Sequence, residues 1–262
     1  MNEAEFETIS ATVDGMIGRL TLNRPKKLNP LSTQTLLELA AAARWFDDRR
    51  AVKVVIVSGA GTTFSAGADV SAFGDDAGNF GLSAREAADT GREMADAIER
   101  MRAVTIAAIG GHCIGGGLVL AAACDLRIAA DDTYFSIPEI DLGIPLAWGG
   151  IPRLVREIGP AMTRELVLTC RPFTAEEAKG LGFLNRIVAA DEVTAEAEKL
   201  AHELATKSTL TLQVTKRHVN AVVESMSNAG RNLADADSLV AALHDPESRQ
   251  RGEEYLARVR RS

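Results

Sequence analysis

One carboxylate is flanked by apolar residues on both sides in the chain. Glu139 follows Ile137 and Pro138, and the apolar run 144–148 comes shortly after it. A carboxylate surrounded by apolar groups is desolvated, so its pKa rises towards neutrality and it can take up and return a proton near pH 7. An exposed loop carboxylate would show the same spacing, and the spacing alone leaves both interpretations open.

Two glycine-bearing segments could supply backbone N–H groups to a negatively charged oxygen. They are 64–70, with the sequence FSAGADV, and 110–118, with the sequence GGHCIGGGL. Small residues let a ligand approach the backbone, and N–H groups at a loop-to-helix junction bind oxyanions. Asp69 suits the opening turn of a short helix, and the second segment runs into an uncharged helix. For each segment, a tight turn or close packing of a helix is the plain alternative.

An alternation of strands and helices must position these segments. Apolar runs predict strands, and capped amphipathic stretches predict helices. The predicted strands are 17–23, 52–58, 104–109, 125–129, 133–137 and 185–188; the predicted helices are 32–48, 83–102, 116–123, a short one opened by Thr174, 191–207, 210–227 and one after Pro246. Because strands that alternate with helices pair in parallel, we predict an α/β fold up to about residue 190. The remainder is predicted to form an appended helical layer.

The composition disfavours several kinds of partner. The 29 Lys and Arg against 36 Asp and Glu leave a net charge of −7. We therefore expect no nucleic acid and no membrane surface as a partner, since both need a basic face. The uncharged stretch 104–124 could span a bilayer by length, but its glycine clusters predict a strand, a turn and a helix instead. Its glycines match neither a phosphate loop nor a dinucleotide-binding pattern.

The cysteines bear on the compartment. Cys113, Cys124 and Cys170 fit neither a disulfide framework nor a zinc motif, so we expect a reducing compartment, the cytoplasm, and no metal. The acidic start of the chain lacks the apolar core of a signal peptide.

The order of three motifs resembles one known family. FSAGADV at 64–70, GHCIGGG at 111–117 and SIPEIDLGI at 136–144 follow one another as in the crotonase superfamily, the enoyl-CoA hydratase/isomerase family. The similarity begins at LNRPKKLN, residues 22–29, and continues through GGIPRL to RPFTAEEA, which ends at Ala178. It therefore covers nearly the whole chain.

The resemblance implies a fold and an assembly. The fold is a crotonase-like spiral of ββα units over residues 1–190. A C-terminal helical region, 191–262, then covers the active site and builds a homotrimer or a dimer of trimers.

The resemblance also implies an acyl-CoA thioester substrate, which brings coenzyme A with it and needs no other cofactor. The implied oxyanion hole consists of the backbone N–H groups of Ala66 and Gly116. By motif position, the implied substrate-binding residues are Arg24, Lys26, Lys27, Leu28, Gly67, Ala68, Asp69, Val70, Gly115, Val119, Ile144 and Trp148.

One position departs from the hydratases of this family. They use two glutamates to orient and activate water; the second corresponds to Glu139, but Val119 stands where the first is expected. A single carboxylate suffices to move a proton from C2 to C4 of a 3-enoyl-CoA. Family isomerases that shift the double bond in this way often have an apolar residue at the Val119 position. The resemblance therefore points to a Δ3,Δ2-enoyl-CoA isomerase with Glu139 as the catalytic residue.

Three alternatives are weighed against the isomerase. The first is hydration of 2-enoyl-CoA by Glu139, alone or with an acid from elsewhere in the chain. A dienoyl-CoA isomerase is disfavoured, because the aspartates that it needs are replaced by Val119 and Ala147. The alternative from another class is a non-catalytic acyl-CoA-binding subunit.

Overall fold

The computed structural model describes residues 2–69, 80–227 and 234–259. The described residues form a main sheet in which strands lie in the order β1-β2-β3-β4-β5-β7-β9. These strands are β1 (Glu3–Ala4), β2 (Ile9–Asp14), β3 (Ile17–Leu22), β4 (Val54–Gly59), β5 (Val104–Ile109), β7 (Leu126–Ala130) and β9 (Arg186–Val188). The first three pair antiparallel, and from β3 onwards every neighbouring pair is parallel. The predicted α/β fold with parallel strands is confirmed.

A second, two-stranded sheet pairs β6 (His112–Ile114) with β8 (Tyr134–Ser136) in parallel. The β8 segment was expected as a strand, but β6 was not predicted. It is only three residues long and lies between glycines, so it carries no local signal of its own.

Nine α-helices lie in the described residues, and several of them begin at a side-chain cap. They are α1 (Thr33–Asp48), α2 (Ala84–Arg100), α3 (Gly116–Ala123), α4 (Gly150–Thr169), α5 (Ala175–Gly180), α6 (Val193–Ala205), α7 (Thr209–Ser227), α8 (Asp235–His244) and α9 (Pro246–Val259). Ser32, Ser83 and Thr174 accept hydrogen bonds from the first turns of α1, α2 and α5. The α4 axis bends at Gly159, immediately before Pro160.

The main sheet separates two apolar clusters. On one face, Val55 and Val57 of β4 pack with α1, α2 and α3; on the other, Val54 and Ile56 pack against α6. Burial on both faces explains why β4 and β5 are mostly apolar rather than alternating.

The stretch 104–124 is a strand, a turn and a helix, as predicted. It contains β5, β6 and α3, and every residue of α3 is buried. Throughout the described part of the chain, no helix is long and apolar enough to cross a membrane.

The C-terminal helices lie against this core. Helix α6 packs on β4, β5 and β7, α8 packs on α2, and α9 packs on α8. The division at residue 190 stays a prediction.

Candidate active site

The side chain of Glu139 is buried in the loop that follows β8. The residue is 8% exposed, and its Oε2 has no hydrogen-bond partner among the described residues. Loss of hydration, without a cation to offset it, raises the pKa of this carboxyl to about 7. The desolvation that the apolar surroundings predicted is therefore present.

Gly115 makes room for this carboxylate. Its φ is +48°, and a Cβ built on it would overlap Oε1 of Glu139. Its N–H donates to the carbonyl of Ser136 at 2.9 Å, which ties the start of α3 to the end of β8. A side chain at position 115 would therefore displace the Glu139 carboxylate as well as strain the backbone.

Gly116 supplies a backbone donor at the first position of α3. Its N–H donates to no acceptor among the described residues, as is usual in the first turn of a helix. The helix dipole adds partial positive charge at this end, and the helix is wholly buried. An oxyanion placed here would be met by a preorganised dipole.

The Ala66 N–H, implied above as the second oxyanion donor, is occupied in the structure, which leaves Ala68 as the candidate. The Ala66 N–H already donates to the carbonyl of Leu28 at 2.9 Å, whereas Ala68 lines the same cavity as Gly116 and its N–H has no partner among the described residues. Gly67, with φ of +89°, changes the direction of the chain between the two alanines. A Cβ on Gly67 would lie 2.7 Å from the Ile114 carbonyl oxygen and 3.6 Å from the Gly116 nitrogen, so this segment packs directly on the start of α3.

A single small cavity brings Ala68, Gly116 and Glu139 together. Its volume is about 20 Å³, room for about one water molecule. Glu139 is the one ionisable side chain among the described residues that line it. The lining consists of Ala68, Gly116, Val119, Glu139, Ile144, Pro145, Leu146, Ala147, Trp148 and Leu239. The predicted residues Val119, Ile144 and Trp148 are thus part of the wall.

The lining also contains residues that sequence reasoning missed. Leu239 comes from α8, one hundred positions after Glu139, and no local pattern could have indicated it. Leu146 lies in the apolar run that drew attention to Glu139, and that run was the available signal.

The predicted cationic residues lie in the turn beside segment 64–69. Arg24 pairs with Asp69 at 3.2 Å, so part of its charge is neutralised. Lys26 and Lys27 are exposed in a short turn of 3-10 helix. Leu28 is exposed as well and has a left-handed backbone. Val70, the remaining predicted contact, lies outside the described residues.

Asn29 holds this turn against the site, and sequence reasoning did not single it out. Its side chain accepts from the Arg24 N–H at 3.0 Å and donates to the carbonyls of Ala60 and Thr63. Its carbonyl accepts from the Ser65 hydroxyl at 2.8 Å. One buried amide therefore fixes the basic turn relative to the segment that carries Ala68.

The comparison with known proteins identifies the family. The family model described as enoyl-CoA hydratase/isomerase matches residues 12–259. The chain belongs to this family. The crotonase resemblance predicted from the three motifs is confirmed.

Members of the enoyl-CoA hydratase/isomerase family with different names resemble the chain to a similar degree. A probable enoyl-CoA hydratase from Mycobacterium bovis is 37% identical over 225 residues, 86% of each chain. A peroxisomal Δ(3,5)-Δ(2,4)-dienoyl-CoA isomerase from Arabidopsis thaliana is 36% identical over 80% of each. The crystal structure of an enoyl-CoA hydratase/isomerase from Mycobacterium paratuberculosis matches with a TM-score of 0.87 and 25% identity, over 96% of this chain and all of that one. The chain is therefore an enzyme with the crotonase fold.

Proposed function

We propose that this enzyme moves the double bond of a 3-enoyl-CoA to give the conjugated 2-enoyl-CoA. The observation that carries the proposal is that Glu139 is the one ionisable side chain among the described residues of the cavity wall, with Val119 where a second acid would have to lie. A pKa of about 7 leaves Glu139 substantially ionised at neutral pH and also able to hold a proton.

The proton transfer needs only this carboxylate and two backbone donors. Glu139 removes a proton from C2, and the electron pair moves to the thioester oxygen, which accepts from the N–H groups of Ala68 and Gly116. Glu139 then returns the proton to C4 as the double bond forms between C2 and C3. Each oxyanion donor is expected to contribute about 10²–10³ in rate. At the end of the cycle Glu139 is again a carboxylate, so the net charge of the enzyme is unchanged.

The coenzyme A part of the substrate needs a cationic surface beside the cavity. Lys26 and Lys27 offer two exposed ammonium groups there, while Arg24 is shared with Asp69. The overall acidity of the chain does not oppose this, because the phosphates meet a local basic turn and the thioester oxygen meets uncharged N–H groups. The proposal requires no other cofactor.

Hydration of 2-enoyl-CoA is the second candidate. It is favoured by the relative named a probable enoyl-CoA hydratase, and the cavity has room for about one water molecule. Hydration needs a water that is oriented, deprotonated and added, and Glu139 would have to do this without a second acid in the described wall.

The test follows absorbance of the conjugated thioester. With 3-hexenoyl-CoA we expect the absorbance to rise, and with crotonyl-CoA we expect little loss. Glu139→Gln should lower the rate at least about 10²-fold. Asp141→Asn is the matched control, since this neighbouring acid is exposed and pairs with Arg258 at 3.6 Å; we expect its rate to stay near that of the wild type.

Other outcomes would contradict the proposal. Rapid loss of crotonyl-CoA absorbance would make the enzyme a hydratase. Binding of both thioesters without turnover would indicate the non-catalytic acyl-CoA-binding subunit. An unchanged rate in Glu139→Gln would remove the proton-shuttle role.

A homotrimer or a dimer of trimers is the proposed assembly. The observation that supports it is an exposed apolar surface on α7, the α7 patch, formed by Leu210, Val214, Val219, Val222 and Met226. Apolar side chains gathered on one helix in this way favour a further copy of the chain as the partner.

A further inference from the structure

Trp148 has a backbone conformation that bulky residues rarely adopt. Its φ is +59°, in the left-handed region, and the next residue, Gly149, is left-handed as well with φ of +68°. Strain of this kind persists only where the surroundings hold the residue, and it is concentrated at functional sites. The side chain is buried and lines the cavity with Glu139.

The indole fits into gaps left by two glycines on different helices. A Cβ on Gly91 of α2 would overlap the centre of the indole, and a Cβ on Gly116 of α3 would overlap its six-membered ring. The indole is therefore wedged between α2 and the residue proposed as an oxyanion donor. Neither helix could carry alanine at these positions without moving the indole.

Two charged side chains hold the strained backbone. The Asp235 carboxylate, at the start of α8, accepts from the Gly149 N–H at 2.8 Å. The Arg153 guanidinium donates to the carbonyls of Trp148 and Gly149 at 3.3 and 3.2 Å. Arg153 is itself buried and pairs with Asp96 and Glu99 of α2. These contacts fix the conformation from both sides of the chain.

We infer that Trp148 sets the acyl-chain length that the site accepts, restricting it to short chains, and that Asp235 and Arg153 are its positioning residues. This rests on the proposed function only in that the ligand is an acyl-CoA thioester. An acyl group whose thioester oxygen accepts from Gly116 must lie against the indole, because Gly116 and Trp148 line the same cavity, and that cavity holds only about 20 Å³. Longer acyl chains must displace the indole from the space beside Gly91 and Gly116.

The experiment measures the binding of saturated thioesters, which the enzyme cannot isomerise or hydrate. Dissociation constants for butyryl-, hexanoyl-, octanoyl- and decanoyl-CoA are compared in the wild type, Trp148→Ala and Trp148→Phe. Each methylene accommodated in an apolar site improves affinity about fourfold. We expect the wild type to prefer butyryl-CoA, and Trp148→Ala to bind octanoyl-CoA at least about tenfold more tightly than the wild type does. Trp148→Phe should lie between them.

Trp45→Phe is the matched control. Trp45 is the other tryptophan of the chain; it lies on α1, where Arg49 stacks on its ring, and its replacement should leave the chain-length profile unchanged. In this background Trp148 is the sole tryptophan, so its fluorescence reports on the cavity even if Trp148→Ala does not fold. Butyryl-CoA should change that emission more than decanoyl-CoA does at equal concentration.

The positioning role has its own readout. Asp235→Ala removes the acceptor for the Gly149 N–H and should shift the profile towards octanoyl-CoA, whereas Asp235→Asn keeps an acceptor oxygen and should restore the wild-type profile. A shift in overall affinity that is equal for all chain lengths would contradict positioning.

Several results would overturn the inference. The first is an identical chain-length profile in the wild type and both Trp148 variants. The second is a change of that profile in Leu239→Ala but not in Trp148→Ala. The third is that no thioester of the series binds. Failure of the proposed isomerisation is distinguishable from these, because it would appear in turnover assays and leave the binding profile of saturated thioesters intact.

Discussion

At the residue scale, the chemistry depends on how few partners Glu139 has. Carboxylates elsewhere in the described chain, such as Glu99, pair with arginines, and those arginines hold the pKa of Glu99 below its usual value. Glu139 contacts a glycine backbone and apolar side chains instead, so burial is the main cause of its raised pKa and outweighs a backbone hydrogen bond that lowers it. An unpaired buried carboxylate is costly to keep and is typical of active sites.

The raised pKa of Glu139 predicts how activity depends on pH. As the proposed base, Glu139 must be ionised, and its pKa of about 7 lies above the usual 4.5. We therefore expect kcat/KM to fall about tenfold per pH unit below about pH 7 and to level off above it. The same shift makes ionisation unfavourable to folding, because stability present below about pH 4.5 is lost as the pH rises through about 7. A kcat/KM that is flat from pH 5 to 8 would contradict the assignment of Glu139 as the base.

At the element scale, helix α7 is attached to the core by one buried ion pair. Lys216 donates to Asp125 at 2.7 Å and to the carbonyl of Ala103 at 3.0 Å, and its side chain is 6% exposed. Asp125 also accepts from the N–H and hydroxyl of Thr105, so it joins β5, the end of α3 and α7. Removing Lys216 leaves the half-buried Asp125 carboxylate without a cation, which costs more than the pair contributes.

Lys216→Met is therefore expected to lower the free energy of unfolding by about 3 kcal/mol. Lys199→Met is the control, because Lys199 makes an exposed pair with Glu196 and its loss should cost less than about 0.5 kcal/mol. Urea unfolding of the two variants beside the wild type measures both values. Equal stability of all three proteins would show that α7 does not depend on this pair.

At the scale of the whole molecule, the C-terminal helices contribute to two different places: the cavity wall and the exposed α7 patch. Helix α8 contributes Leu239 to the cavity and Asp235 to the strained backbone beside it, within the same chain. Helix α7 turns apolar side chains outwards, where a neighbouring copy could cover them. The cavity wall is thus closed by the chain's own helix, and the α7 patch remains for assembly.

The α7 patch predicts a measurable assembly. We expect light scattering to report three or six times the chain mass of 27.9 kDa. Val219→Asp with Val222→Asp should shift the protein towards the monomer, because buried like charges oppose association. Met16→Asp, an exposed apolar residue in the turn between β2 and β3, should leave the mass unchanged. A monomeric wild type would contradict the proposed assembly.

Local patterns in the chain determined much of the fold and part of the site. The buried strands β4 and β5, the uncharged α3 and the cap at Ser32 depend on neighbouring residues, so periodicity and side-chain type were enough to predict them. The presence of a carboxylate at position 139 and the lack of one at position 119 can likewise be read from the sequence alone.

Only the tertiary structure decided which groups are available for chemistry. Whether a backbone N–H is free depends on which acceptor the fold places opposite it. The carbonyl of Leu28, far away in the chain, accepts from the Ala66 N–H, whereas Ala68 lines the cavity and its N–H has no partner among the described residues. Leu239 and the placement of the Trp148 indole between Gly91 and Gly116 depend in the same way on helices that meet only after folding. Such contacts have no local signature, because hydrogen bonding and packing at a site are satisfied by whichever residues the fold brings together.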